Sequence, residues 1–203
     1  MDRREALKMS VLASIGMAAA SKTSAQTNCP ADGTPAQFIP KTAPDAQPQA
    51  DDIAKYPKCP YCGMDRKQYH HSRMVVHYAD DLADGTCSLH CSAISLSLNI
   101  DRDPKAIWVG DNAVEGDTKP LVEVEKASFL VGSKLPGVMT ARSKVAYGSA
   151  DAAKASQAAN GGEITDFDGA LLAAYTDMSA DVSRIRKNRA ERRRKMMEKQ
   201  NKS

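Results

Sequence analysis

Apolar and polar positions alternate in short blocks from residue 74 onward. Met74-Val75-Val76-His77-Tyr78 is apolar and β-branched and predicts a strand, and Asp84-Gly85 is a turn signal leading to a second short strand near Thr86-Cys87. Ser88 is placed to cap a helix from Leu89 through Leu98, ended by Asn99, and Ala106-Ile107-Trp108-Val109 returns to strand. The second half repeats this order. Strands are predicted around Ala127–Val131 and Lys144–Tyr147, then a helix at Asp151–Asn160 stopped by Gly161-Gly162, then a strand at Glu163–Phe167. Two successive ββαβ units predict one α+β domain over residues 58–180, with sheet and helices in two layers. A closing helix from Gly169 to about Met178 runs into a basic tail, residues 181–203.

Composition alters this picture at both ends. Residues 26–57 hold six of the ten prolines, show no hydrophobic period and predict a flexible, disordered linker. The mild net charge of +3 hides an asymmetry. Residues 184–203 carry ten Lys/Arg against two Glu, while residues 26–183 carry fourteen Lys/Arg against twenty-one Asp/Glu. The tail has no aromatic residue to stack bases and no sustained apolar face, so nucleic acid is not an expected partner and a solvated helix extension is. Contact with a membrane surface or with an acidic partner remains open to it.

Arg3-Arg4, Leu7 and Lys8 before the mildly apolar run Met9–Ala20 look like a twin-arginine export signal over residues 1–25, with cleavage before Gln26. The run is too short to span a bilayer, which takes about 20 residues. A periplasmic location follows. Cys29 lacks the small and apolar residues of a lipobox before it, so lipid anchoring is not expected.

The chemistry concentrates in Lys58-Cys59-Pro60-Tyr61-Cys62-Gly63-Met64-Asp65. Two thiols and a thioether within six residues suit a soft ion such as Cu(I), and Gly63 lets the backbone turn so that Cys62 and Met64 face one point. Cys87, His90 and Cys91 cluster at the start of the first predicted helix, where spacings of three and four share a face and the helix N-terminus favours thiolate. Cys87 and Cys91 are therefore further candidate metal ligands, although Cys91 also shares a face with Ile94 and Leu98 and would pack there. His70 and His71 read as exposed loop residues able to complete a coordination sphere, His77 as a strand residue and Met74 as core. Met139, on the loop Leu135-Pro136-Gly137-Val138-Met139-Thr140, is a candidate ligand or exchange residue. In an oxidising compartment without metal, Cys59 and Cys62 are expected to form a disulfide.

Three functions compete for these cysteines. One is a Cu(I)-binding protein using Cys62 and Met64, then Cys59, with Cys87 and Cys91 in reserve. The second is a thiol-disulfide oxidoreductase using Cys59 and Cys62, which lacks the surrounding βαβ pattern. The third is a structural zinc module using Cys59, Cys62, Cys87 and Cys91, against which only Met64 argues. No acid/base pair or nucleophile–base set points to an enzyme.

The CPYCGM run, the strand pair with its Asp-Gly, the small-residue helix carrying cysteine, the Ile107-Trp108-Val109-Gly110-Asp111 strand end, Phe129-Leu130-Val131-Gly132-Ser133 and the Met139 loop resemble the NosL family, accessory proteins of nitrous oxide reductase, over roughly residues 55–175. The resemblance implies an exported Cu(I)-binding metallochaperone of denitrification that supplies copper to that reductase, on a fold of two ββαβ units. It carries the family's Cys-Gly-Met ligands onto Cys62 and Met64, with Cys59 as companion. The Cys87/His90/Cys91 cluster and the basic tail depart from the family pattern.

Overall fold

A computed structural model describes residues 38–201; the segment expected to be an export signal, Cys29 and the rest of residues 1–37 lie outside it. After a short helix α1 (Asp52–Lys55) come strands β1 (Met74–Tyr78) and β2 (Ala83–Thr86), helix α2 (Leu89–Leu98) and strand β3 (Pro104–Gly110). Strand β4 (Leu121–Glu123) and a 3₁₀ turn lead to β5 (Ser128–Val131), β6 (Lys144–Tyr147), α3 (Ala150–Asn160), β7 (Glu163–Thr165) and α4 (Phe167–Gln200). The fold is α+β, with two antiparallel sheets of order β2-β1-β3-β4 and β6-β5-β7. Each ββαβ unit places its first strand in the middle of its sheet.

Strand β1 is buried at every position because both faces are covered. Successive side chains point to opposite faces: Met74, Val76 and Tyr78 enter the main core, and Val75 packs with Tyr56 and Ala83 beneath Trp108 and Leu121. The main core also takes Leu89 and Ala93 from α2, Phe129 and Val131 from β5, Ala146 from β6, and Ala170 and Ala174 from α4. The two units therefore share one core. Hydrogen bonds stitch them further, as the Asn112 N–H donates to Ala146 O at 3.0 Å and the Gly148 N–H donates to the Asp111 carboxylate Oδ1 at 2.7 Å.

The hairpin differs from expectation. Asp84 and Gly85 lie inside β2, and the turn is made by residues 79–82 with Asp81 at φ 62°. Gly85 is there for space, since a Cβ would stand 2.3 Å from Tyr56 Cβ and 2.9 Å from Arg66 Cζ. The linker reading also gives way before residue 57, because α1 turns Asp52 inward onto two arginines. Helix α4 passes Met178 and continues unbroken to Gln200. No Gly or Pro interrupts it after Gly169, and its Ala, Arg, Lys, Glu and Met residues favour helix without packing. Its buried residues are Ala170, Ala174 and Asp181, all in the first half. Among the described residues no helix is long and apolar enough to cross a membrane.

Candidate metal centre

The CPYCGM run forms a tight reversal closed by a bridge between Lys58 and Asp65. The Cys59 N–H donates to Met64 O and the Gly63 N–H to Cys59 O, both at 2.9 Å. This geometry puts Gly63 at φ 77°, in the left-handed region that a side chain would resist. Two neighbours fix the reversal to the fold. The Tyr61 hydroxyl donates to Asp84 Oδ2 at 2.5 Å, and Ser95 Oγ of α2 donates to the same oxygen at 2.7 Å. Arg66, wholly buried, donates to the carbonyls of Asp52, Tyr56, Met74 and Thr86 and to the Asp52 carboxylate. Burial pushes the Asp84 carboxyl above the usual carboxylate range, against the hydrogen bonds it accepts.

Cys87 follows the end of β2 and Cys91 lies in the first turn of α2, both without solvent exposure. Helical spacing brings their sulfurs to 3.8 Å, and Cys62 Sγ stands 3.4 Å from Cys87 Sγ. With Cys59, all four Sγ atoms lie within 4.8 Å of one another, and none is in a disulfide. Four sulfurs about 2.3 Å from a central ion at tetrahedral angles would be about 3.8 Å apart. The cluster thus has the dimensions of a four-sulfur metal shell. Cys59, Cys87 and Cys91 are buried while Cys62 is half-buried at the rim. Tyr61, Met64, Val138 and Met139 pack against the cluster.

The metal-free cluster shares its protons unequally. Hydrogen bonds from Cys62, Cys87 and Cys91 draw the Cys59 thiol far below its ordinary value. Cys62 is also lowered, with the Cys59 bond opposing and the bonds from Cys87 and Cys91 favouring the thiolate. Cys87 and Cys91, as donors in burial, are pushed well up. A cation entering here would displace those protons.

The histidines stand apart. His90 Nδ1 has no hydrogen-bond partner and faces Asp181 Oδ2 at 3.8 Å, and burial lowers its pKa. His70 Nδ1 accepts the Lys119 N–H at 3.0 Å, so its ring is committed to a loop. His77 meets Asp81 at 3.0 Å and stacks on Trp108, and Met74 is core. Among the described residues the cysteine quartet is the one group of three or more His, Cys, Asp or Glu that could hold a metal ion. Arg66 and Asp84, which position the quartet, carry no signal in the sequence, because their partners are distant along the chain.

The NosL family model matches residues 50–171. Among solved structures, the crystal structure of the copper chaperone NosL from Shewanella denitrificans is similar at 22% identity, covering 55% of this chain and 87% of that one, with a TM-score of 0.46. No curated protein matches this chain.

Proposed function

This chain belongs to the NosL family, and from that premise we propose that it is an exported, periplasmic Cu(I)-binding accessory protein that hands copper to a copper enzyme, with nitrous oxide reductase as the client. The observation that carries the reading is the convergence of four cysteine sulfurs within 4.8 Å, with two methionines packed against them. Thiolate and thioether together favour Cu(I), and the two methionines packed on the cluster are half-buried. The cargo ion enters at the half-buried rim formed by Cys62, Met64 and Met139. Cys59, already disposed to be a thiolate, offers the first anionic sulfur within. Release is ligand exchange: a sulfur ligand of the acceptor replaces a rim sulfur, and the buried thiols recover their protons as the ion leaves. No substrate bond is made or broken. This makes the protein a carrier and not an enzyme.

A second reading, a structural zinc site, is favoured by the four-cysteine shell itself, since Zn²⁺ takes four thiolates in this arrangement. Met64 separates the two readings. Met64→Leu keeps size and apolarity at small packing cost. It is expected to weaken Cu(I) binding about tenfold, on the order of 1.4 kcal/mol, and to leave Zn²⁺ affinity unchanged, while Cys62→Ser abolishes tight Cu(I) binding. Anaerobic competition titrations on the reduced wild type and both variants measure this. Wild-type Cu(I) affinity in Met64→Leu, with tight Zn²⁺ binding that needs all four cysteines, would establish zinc in place of copper.

A further inference from the structure

The loop between β5 and β6 lays Val138 and Met139 on the cysteine cluster, with Met139 at φ 62°. What holds this loop down is α4. Asp181 Oδ1 accepts the Ala141 N–H at 2.9 Å, and Asp177 Oδ2 accepts from Arg142 Nε and Lys144 Nζ, each at 2.8 Å. The two aspartates are one helical turn apart, on one face. Asp181 is 2% exposed, and its Oδ2 lacks a hydrogen-bond partner and faces His90, the neighbour of Cys91. The same carboxylate accepts from Arg184 at 3.2 Å, the first cation of the basic segment. One buried group therefore touches the methionine loop, faces the cysteine-bearing helix and holds the root of the basic arm.

Beyond Arg184 the helix continues for 16 residues, about 24 Å, and residues 192–200 are all exposed. At about 100° per residue, Arg186, Lys187, Arg189, Arg192, Arg193 and Lys195 fall on every side, and Met196 and Met197 form no stripe. A helix that lies in a membrane interface needs an apolar face, which this arm lacks. It also lacks aromatic residues for stacking bases. Cations on all sides fit a carboxylate-lined protein surface that wraps the helix.

Resting on the reading of the cysteine cluster as an exchange site, we propose that the arm of α4 docks on an acidic face of the protein that receives the metal, and that Asp181 passes this docking to the Met139 loop and uncovers the cysteines. A bound acceptor competes for the arm, pulls on its root and loosens the Asp181–Ala141 bond. Exchange then begins only where a recipient is present.

The test uses the full mature chain, reduced and metal-free, with poly-L-glutamate as acidic probe and phosphatidylglycerol-containing vesicles as lipid probe. The readout is the rate at which neutral iodoacetamide modifies Cys62, followed by mass spectrometry. Saturating poly-L-glutamate should raise that rate about threefold or more, as local opening would, and should leave it unchanged in the exposed-arm variant R192Q/R193Q/R194Q/K195Q. Asp181→Leu, which removes both acceptor oxygens at similar volume, should modify fast without any probe. If that variant loses its near-UV circular dichroism, the arm variant decides. Poly-L-glutamate that binds without changing the rate overturns the proposal, as does an equal increase in the arm variant or an increase caused by vesicles alone. No copper enters the assay, so a failed Cu(I) titration and a failed docking test are separate results.

Discussion

Arg66 is the residue on which the site rests. Its side chain is fully buried, yet every guanidinium nitrogen has an acceptor, and Asp52 answers its charge at 2.7 Å while also holding Arg73 at 2.9 Å. Breaking a buried pair by removing one partner leaves the other charge uncompensated, at about 3–5 kcal/mol. Arg66→Met keeps most of the volume and should lower stability by that order in urea unfolding. A loss under about 1 kcal/mol would show that the guanidinium adds nothing beyond bulk. The contrast with the cysteines explains what the sequence could reveal at this scale. Cys59, Cys62 and Met64 are rare residue types at a local spacing, so their candidacy is visible without a fold. Arg66 sits in Asp65-Arg66-Lys67, which looks like exposed charge, and its acceptors lie eight to twenty residues away. Only tertiary structure brings them together.

At the scale of elements, legibility follows how strongly a segment is constrained by its own residues. Strand β1 is mostly apolar with the β-branched pair Val75-Val76 and lies inside its sheet, and α2 and α3 end at Asn99 and Gly161 as their stop signals indicate. Strand β4 is three residues long, too short to show a period, and α1 has four. The Asp84-Gly85 pair misleads because Gly85 answers to Tyr56 and Arg66 and not to a turn. The length of α4 is set by propensity where packing has stopped, and this has a measurable consequence. Ending the chain after Arg184 removes 16 helical residues but no buried one. Exposed deletions of this kind change stability by about 0.5 kcal/mol or less, so Tm should move by no more than about 2 °C while far-UV circular dichroism loses the corresponding helical signal. A cooperative loss of stability would mean that the arm packs on the body.

At the scale of the molecule, the cluster draws on three parts of the chain: the reversal before β1, the β2–α2 junction, and a loop from the second unit strapped down by α4. An ion held there clamps these segments at once, and the unfolded chain offers no such shell. Its binding free energy therefore adds to folding, by about 2.7 kcal/mol when the free ion is at 100 times its Kd. For a domain of this size each kcal/mol moves Tm by about 2–4 °C, so saturation should raise Tm by about 5–10 °C. The sign of the pH dependence follows from the thiols. Cys87 and Cys91 have values raised above the ordinary thiol, chiefly by hydrogen bonding to Cys59, and are protonated in the metal-free fold at neutral pH. The loaded state holds fewer protons than the empty one, so rising pH favours loading and falling pH returns protons to the sulfurs and expels the ion. Anaerobic calorimetric scans of the reduced protein with and without Cu(I) at pH 6, 7 and 8 should give a Tm increment that grows with pH. An increment independent of pH would mean that Cys87 and Cys91 do not surrender protons to the ion, leaving Cys59, Cys62 and the methionines to hold it alone.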